Sequence, residues 1–111
     1  MLYGAKTEHD FLMKDELEAM VKAHPDRFRL VYFMDKQNVP EGWTTCEYEN
    51  SWVCEPYFSK YCFAPADDTC VFVCGVPPMY NSICGPRDVK EIAEGTIMHK
   101  LGYKDSSVFK F

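Results

Sequence analysis

Cys74-Gly75-Val76-Pro77-Pro78-Met79 carries the most chemical information in this chain of 111 residues. A thiol, a residue without a side chain and two prolines follow directly on the apolar run Val71-Phe72-Val73. Apolar, β-branched residues cut off by Gly and Pro predict a buried strand that ends abruptly and hands over to a helix. Pro77 and Pro78 suit that start, because helix N-termini leave their N–H groups unpaired and proline has none. In α/β proteins the carboxyl end of a buried parallel strand is where ligands bind. The stretch therefore points to a binding site as well as to a fold.

Few other side chains form a recognisable reacting group. The six cysteines are Cys46, Cys54, Cys62, Cys70, Cys74 and Cys84, and no two form a C-x-x-C pair. The first four recur every eight residues, a spacing that marks no zinc site. Cys70 and Cys74 fall in or at the end of an apolar strand, where a free thiol behaves as a small hydrophobe. His9, His24 and His99 are scattered and read as surface residues. Glu16 and Glu18 read as the solvated face of a helix. There is no G-x-G-x-x-G, P-loop, G-x-S-x-G or H-E-x-x-H pattern. Read by itself, Asp35 is a strand-end turn residue and Trp52 a core aromatic.

The elements that must place these residues alternate. Met1–Gly4 is a short strand, Thr7–Asp10 a polar turn, and Phe11–Ala23 a helix with Met13, Leu17, Met20 and Val21 inward. Pro25 stops it, and Arg27–Met34 is a strand closed by Asp35. Lys36–Asn50 reads as a loop pinned by Trp43. Ser51–Cys62 is a short helix with Val53, Tyr57, Phe58 and Tyr61 on one face, started late because of Pro56. Thr69–Cys74 is the strand before the Cys-Gly turn. A helix follows from Pro77, broken at Gly85-Pro86, with a second over Asp88–Lys100 and Gly102 as its C-cap. Val108–Phe111 is a closing strand. Strands alternating with helices predict an α/β domain with a parallel sheet covered on both faces.

Composition agrees with one folded domain: apolar content is 47%, charged content 26% and net charge −5. No basic patch suited to nucleic acid or anionic lipid is visible. No apolar run approaches the ~20 residues of a membrane helix, and Met1–Lys6 lacks the pattern of a signal peptide. Reduced thiols in a cytoplasmic setting are expected.

The Cys-Gly-Val-Pro-Pro-Met turn resembles the C-G-P-P-P-M of the ferredoxin-reductase superfamily, most closely of NADH–cytochrome b5 reductases. The likeness continues along the chain. Met1–Asp10 looks like the strand and N-x-T-E-x-D loop of those enzymes. Leu17-Glu18 and His24–Leu30 resemble their helix and next strand. Tyr32-Phe33-Met34-Asp35 is similar to their Y-T-L-D, Trp43 to the Trp of P-x-x-W, and Leu101-Gly102-Tyr103 with Val108–Phe111 to their C-terminus.

The resemblance implies a partial Rossmann-like sheet of about four parallel strands and a binding site for NADH. Asp35 would accept hydrogen bonds from the adenosine ribose hydroxyls. A carboxylate there also repels the extra phosphate of NADPH. Trp52 would flank the nucleotide, where the family has Phe in G-F-V. Cys74 would sit beside the nicotinamide in a positioning part, since hydride transfer needs no protein nucleophile. Gly75 would admit the cofactor to the main chain, and Pro77, Pro78 and Met79 would shape the pocket wall. Ala5, Lys6 and Thr7 would lie near the adenosine end.

Some features depart from the family. Val76 replaces its first proline of three, Ser51 its Gly before the aromatic, and residues are inserted between Asp35 and Trp52 and around Gly85-Pro86-Arg87. The family's first strand, its G-G-T-G-I-T-P pyrophosphate loop and its flavin barrel with R-x-Y-[ST] would precede Met1. In a sheet ordered 3-2-1-4-5 that first strand is central. Its absence would leave the strands at Met1–Gly4 and Thr69–Cys74 with bare facing edges, to be filled by direct pairing, by self-association or by a partner chain. In a complete reductase, hydride passes from NADH to FAD and electrons go on to a haem protein. These 111 residues would not bind FAD and are expected to be inactive alone. The alternative is a non-catalytic α/β interaction protein derived from such a reductase.

Overall fold

The computed structural model describes residues 1–34, 47–49 and 51–111. The chain divides into two compact units, Met1–Val53 and Cys54–Phe111.

In the first unit, strand β1 (Leu2–Gly4) pairs in parallel with β2 (Val31–Phe33), and β2 pairs in parallel with β3 (Glu47–Glu49). Leu2 stands opposite Val31, and Val31 opposite Glu47. Leu30 to Met34 are all buried, as a central strand with a continuous apolar sequence should be. The sequence predicted a loop where β3 lies. Arg29 donates two hydrogen bonds of 2.8 Å to the Glu47 carboxylate beside this pairing.

Helix α1 runs over Lys14–Ala23, three residues later than its apolar periodicity suggests. Phe11 leaves the helical line to pack edge-on against Tyr3 at 4.9 Å and in a tilted contact against Tyr32 at 4.3 Å. The chain recovers through Met13, whose left-handed conformation (φ 56°) ends any helix upstream of it. Leu17 and Val21 pack on the buried Phe11, Leu30, Tyr32 and Met34, while Met13 and Met20 are exposed.

Glu18 corrects the solvated-face reading. It is only 7% exposed. A carboxylate is tolerated there because Lys14 lies 3.1 Å away and the Tyr32 hydroxyl donates to it at 3.5 Å. Burial works against the Lys14 charge, but its bonds to Glu18 and Glu8 prevail and hold its pKa above the ordinary value.

The second unit contains α2 (Glu55–Tyr61), β4 (Val71–Val73), α3 (Pro77–Ile83), α4 (Ile97–Leu101) and β5 (Val108–Lys110). Pro56 falls in the first turn of α2, and Phe58 is the residue it buries. Strands β4 and β5 pair in parallel, Val71 opposite Val108. Every pairing among the described residues is thus parallel, as the alternation of strands and helices requires. The two ladders are separate sheets, with β1 at the end of one and β4 paired with β5 alone in the other.

The expected helix over Asp88–Lys100 is confined to Ile97–Leu101. Residues 84–96 instead fold back on the end of α3, where the Ala93 N–H donates to the Cys84 carbonyl at 3.1 Å. Gly85 makes the reversal, with φ +93°; a Cβ there would stand 2.6 Å from that of Ala93. Asp105 takes the Ile92 N–H at 2.7 Å, and Thr96 turns its hydroxyl onto the Ala93 carbonyl. These bonds hold the main chain away from helical geometry until Thr96. Gly102, at φ +80°, closes α4 as predicted: its N–H reaches His99 and that of Tyr103 reaches Met98, the paired bonds of a Schellman ending.

Candidate functional site

β4 leads straight into the Cys-Gly turn, and three interactions fix its end. The Val73 carbonyl accepts the Phe111 N–H at 3.0 Å. It also lies 3.3 Å from the Tyr80 hydroxyl, which bonds the Phe111 main-chain oxygen as well. Tyr80 is buried on α3, so one hydroxyl ties the helix to both strand ends. The Met79 and Tyr80 N–H groups close onto Val76, and Pro77 stands at the helix start, where its missing N–H costs nothing.

A cavity of about 250 Å³ opens beside this turn. It is lined by Gly75, Pro77, Tyr80, Asn81, Pro86, Arg87 and Asp88. Ligand pockets for whole small molecules run from ~300 Å³ upward, so this one suits a single ring and not a dinucleotide. Of the residues that sequence reasoning placed at this end, Gly75 and Pro77 line the cavity; Cys74, Pro78 and Met79 stand on the same turn outside its lining. Cys74 is exposed, as is Cys70, which corrects the reading of both as core thiols. Cys84 is the cysteine that behaves as a buried hydrophobe, and burial pushes its thiol pKa up. The Met79 sulfur stands 2.5 Å from where a Gly75 side chain would begin. A larger, more open depression of about 430 Å³ beside Cys54, Glu55 and Lys100 contains none of the predicted site residues.

The residues predicted for the adenosine end gather at the carboxyl end of β1. The Ala5 N–H continues the ladder to Phe33 at 3.0 Å, and Ala5 packs on the apolar cluster of its unit. The Thr7 main-chain N–H and hydroxyl both donate to the Asp10 carboxylate, at 2.9 and 2.8 Å, and hold the turn that carries Lys6. Trp52 is 79% exposed, which removes the core-aromatic reading and leaves its ring open to a ligand. Asp35 and Trp43 lie outside the described residues.

Sequence reasoning missed Arg87, Asp88 and, above all, Lys110. The Lys110 ammonium donates to the carbonyls of Pro86, Val89 and Glu91 at 3.1, 2.6 and 3.0 Å. The signal was present: alternation in Val108-Phe109-Lys110 puts the lysine on the side of the buried Val108. A cation directed inward must find acceptors.

The family described as the oxidoreductase NAD-binding domain matches residues 1–85. The whole chain aligns with NADH-cytochrome b5 reductase 2 of Scheffersomyces stipitis at 34% identity and of Kluyveromyces lactis at 38%, covering 36% of each. It also aligns with that of Gallus gallus at 32%, covering 32%. The chain thus spans about a third of the length of these relatives. Among solved structures, the cytochrome b5 reductase domain of Ulva prolifera nitrate reductase superposes on 99% of this chain and 37% of its own, with TM-score 0.70 and 27% identity. The chain therefore belongs to the oxidoreductase NAD-binding domain family, in the form found in NADH-cytochrome b5 reductases.

Proposed function

We propose that residues 1–111 form a single partial domain, the NADH-binding module of a cytochrome b5 reductase-like oxidoreductase. The observation that carries this is the cavity at the carboxyl end of β4, where Gly75 and Pro77 of the family-like turn already line a ring-sized space. In this reading the nicotinamide enters beside Gly75, with Cys74 positioning it and Pro77, Pro78 and Met79 forming the wall. Ala5, Lys6 and Thr7 serve the adenosine end with Trp52 flanking it, and Asp35 accepts from the ribose hydroxyls. NADH so held supplies a hydride; the chain's own residues bind it and orient it. The FAD that takes the hydride and the haem protein that takes the electrons belong to a complete reductase. The free thiols suit a reducing, cytoplasmic compartment. Among the described residues no helix is long and apolar enough to cross a membrane.

NADH titration followed by Trp43 and Trp52 fluorescence tests the reading. We expect weak saturable quenching, with affinity reduced about tenfold, or ~1.4 kcal/mol, by Asp35→Ala. NADH-dependent ferricyanide reduction by these 111 residues alone is expected to be absent.

A second reading, a non-catalytic interaction protein, draws on β1 and β4, each laddered on one side among the described residues. A self-association or a strand supplied by a partner would complete such edges. Tight dimerisation or strand-peptide binding without any NADH response would favour it.

A further inference from the structure

The geometry points to Lys110 as a positioning residue for the nicotinamide end of the site, acting through the 86–91 loop; this rests on the NADH reading above. The loop is pinched at its neck by the Ala93 to Cys84 bond. Between neck and tip, three carbonyls converge on one ammonium, those of Pro86, Val89 and Glu91. Lysine has three N–H donors and no acceptor, so the three carbonyls use all its donors at once. Bonds from a charged donor are stronger than neutral ones, and they replace the hydration the ammonium gives up on the inner side of β5.

The placement gives the clamp a consequence beyond stability. Pro86, which gives its carbonyl to the ammonium, also lines the cavity, followed directly by Arg87 and Asp88. Gly75 and Pro77 line the same cavity. Helix α3 ends at Ile83 and α4 begins at Ile97, so residues 84–96 have no regular structure of their own to hold this wall. Lys110 supplies the order from the neighbouring strand. Without its ammonium the loop keeps its neck but loses the three bonds that fix its tip, and the ring-sized cavity loses one side.

Lys110→Met keeps the aliphatic stem and removes the donors. Hydrogen exchange on the full chain is expected to speed up about tenfold at the Val89 and Ile92 amides, which are bonded in the wild-type protein, and to stay unchanged at the Ala93 amide of the neck and in α1. NADH affinity is expected to fall about fivefold while that for ADP-ribose, which lacks the nicotinamide, stays the same. Unchanged loop exchange overturns the clamp. Faster exchange with unchanged NADH affinity overturns the positioning role. A wild-type chain that fails to bind NADH overturns the site reading itself, and this inference with it. Should Lys110→Met not fold, Arg87→Ala at the cavity wall carries the ligand test: the same selective loss of NADH supports the wall, and its absence overturns it.

Discussion

In residues 1–53 the rings of Tyr3, Phe11 and Tyr32 meet within 6.3 Å of one another, and the aliphatic Leu17 and Val21 close over them. In residues 54–111 long polar side chains reach main-chain oxygens instead: Tyr80 to Val73 and Phe111, Tyr103 to Phe63, Lys110 to three loop carbonyls. The difference lies in what fixes the packing of each stretch. Among the described residues the first unit holds a three-stranded ladder and a ten-residue helix, and apolar burial fixes how they pack. The second unit has a two-stranded ladder and an irregular stretch from 84 to 96, and its carbonyls take donors from side chains. Such bonds are directional. They can hold a loop in one place without filling the space beside it, which is what a cavity wall requires.

The largest effect that would test this contrast is Phe11→Ala. The ring is buried and touches both tyrosines, so its loss leaves a void in the centre of the cluster. A cost of ~3–5 kcal/mol is expected. It should show as a lower urea midpoint and as faster exchange at β1 and β2 amides. If β4 and β5 amides loosened equally, the two units would not be separate in energy, and the contrast would fail.

A smaller loss is expected from Tyr80→Phe. The ring stays and only the hydroxyl goes, yet the buried end of β4 loses the donor that ties it to α3 and to Phe111. The Val73 carbonyl keeps its bond from the Phe111 N–H, so the expected cost is that of a lost hydrogen bond, about 0.5–1.5 kcal/mol. The change should be confined to β4, β5 and α3 amides. A loss below ~0.5 kcal/mol would show that side-chain donors matter less in this unit than the geometry implies.

The same contrast decides what could be read from the sequence. Apolar periodicity and Gly/Pro punctuation placed β1, β2, β4, β5 and the Gly102 cap, because these depend on neighbours in the chain. The start of α1 was misplaced because Phe11 answers to Tyr3 and Tyr32 rather than to helical spacing. Glu18 was misread because its partners, Lys14 and Tyr32, lie on two elements. The helix expected over Asp88–Lys100 was overruled by bonds from Asp105 and Lys110, donors and acceptors more than ten residues away. At the site, Gly75 and Pro77 were legible from the turn itself. Arg87 and Asp88 join them only because a distant lysine holds their loop, which no local pattern encodes.

The smallest expected effect concerns pH and separates the units by where their stability starts to fail. Burial raises the pKa of the Cys62 and Cys84 thiols and of the Tyr103 phenol, all in residues 54–111. A buried group that stays neutral is matched by an unfolded one that ionises at its ordinary value, 9.0 for the thiols and 10.0 for the phenol. Above that value the native state holds more protons than the unfolded state, so stability falls as pH rises. The contribution is complete below pH 9.0 and is lost progressively as pH climbs toward the raised native values. Among the described groups of residues 1–53 the corresponding one is Lys14, whose pKa the carboxylates of Glu18 and Glu8 raise above 10.5. Its ion pairs persist below that value and are lost as pH rises through the native one. Alkali should therefore weaken residues 54–111 first. Urea midpoints measured from about pH 7 to about pH 11 are expected to hold level and then decline from near 9. Cys84→Ala should make the first part of that decline shallower, because it removes one of the two thiols responsible. A decline that begins only above 10.5, unchanged by Cys84→Ala, would place the alkaline weakness at Lys14 instead, in the unit held by its apolar cluster.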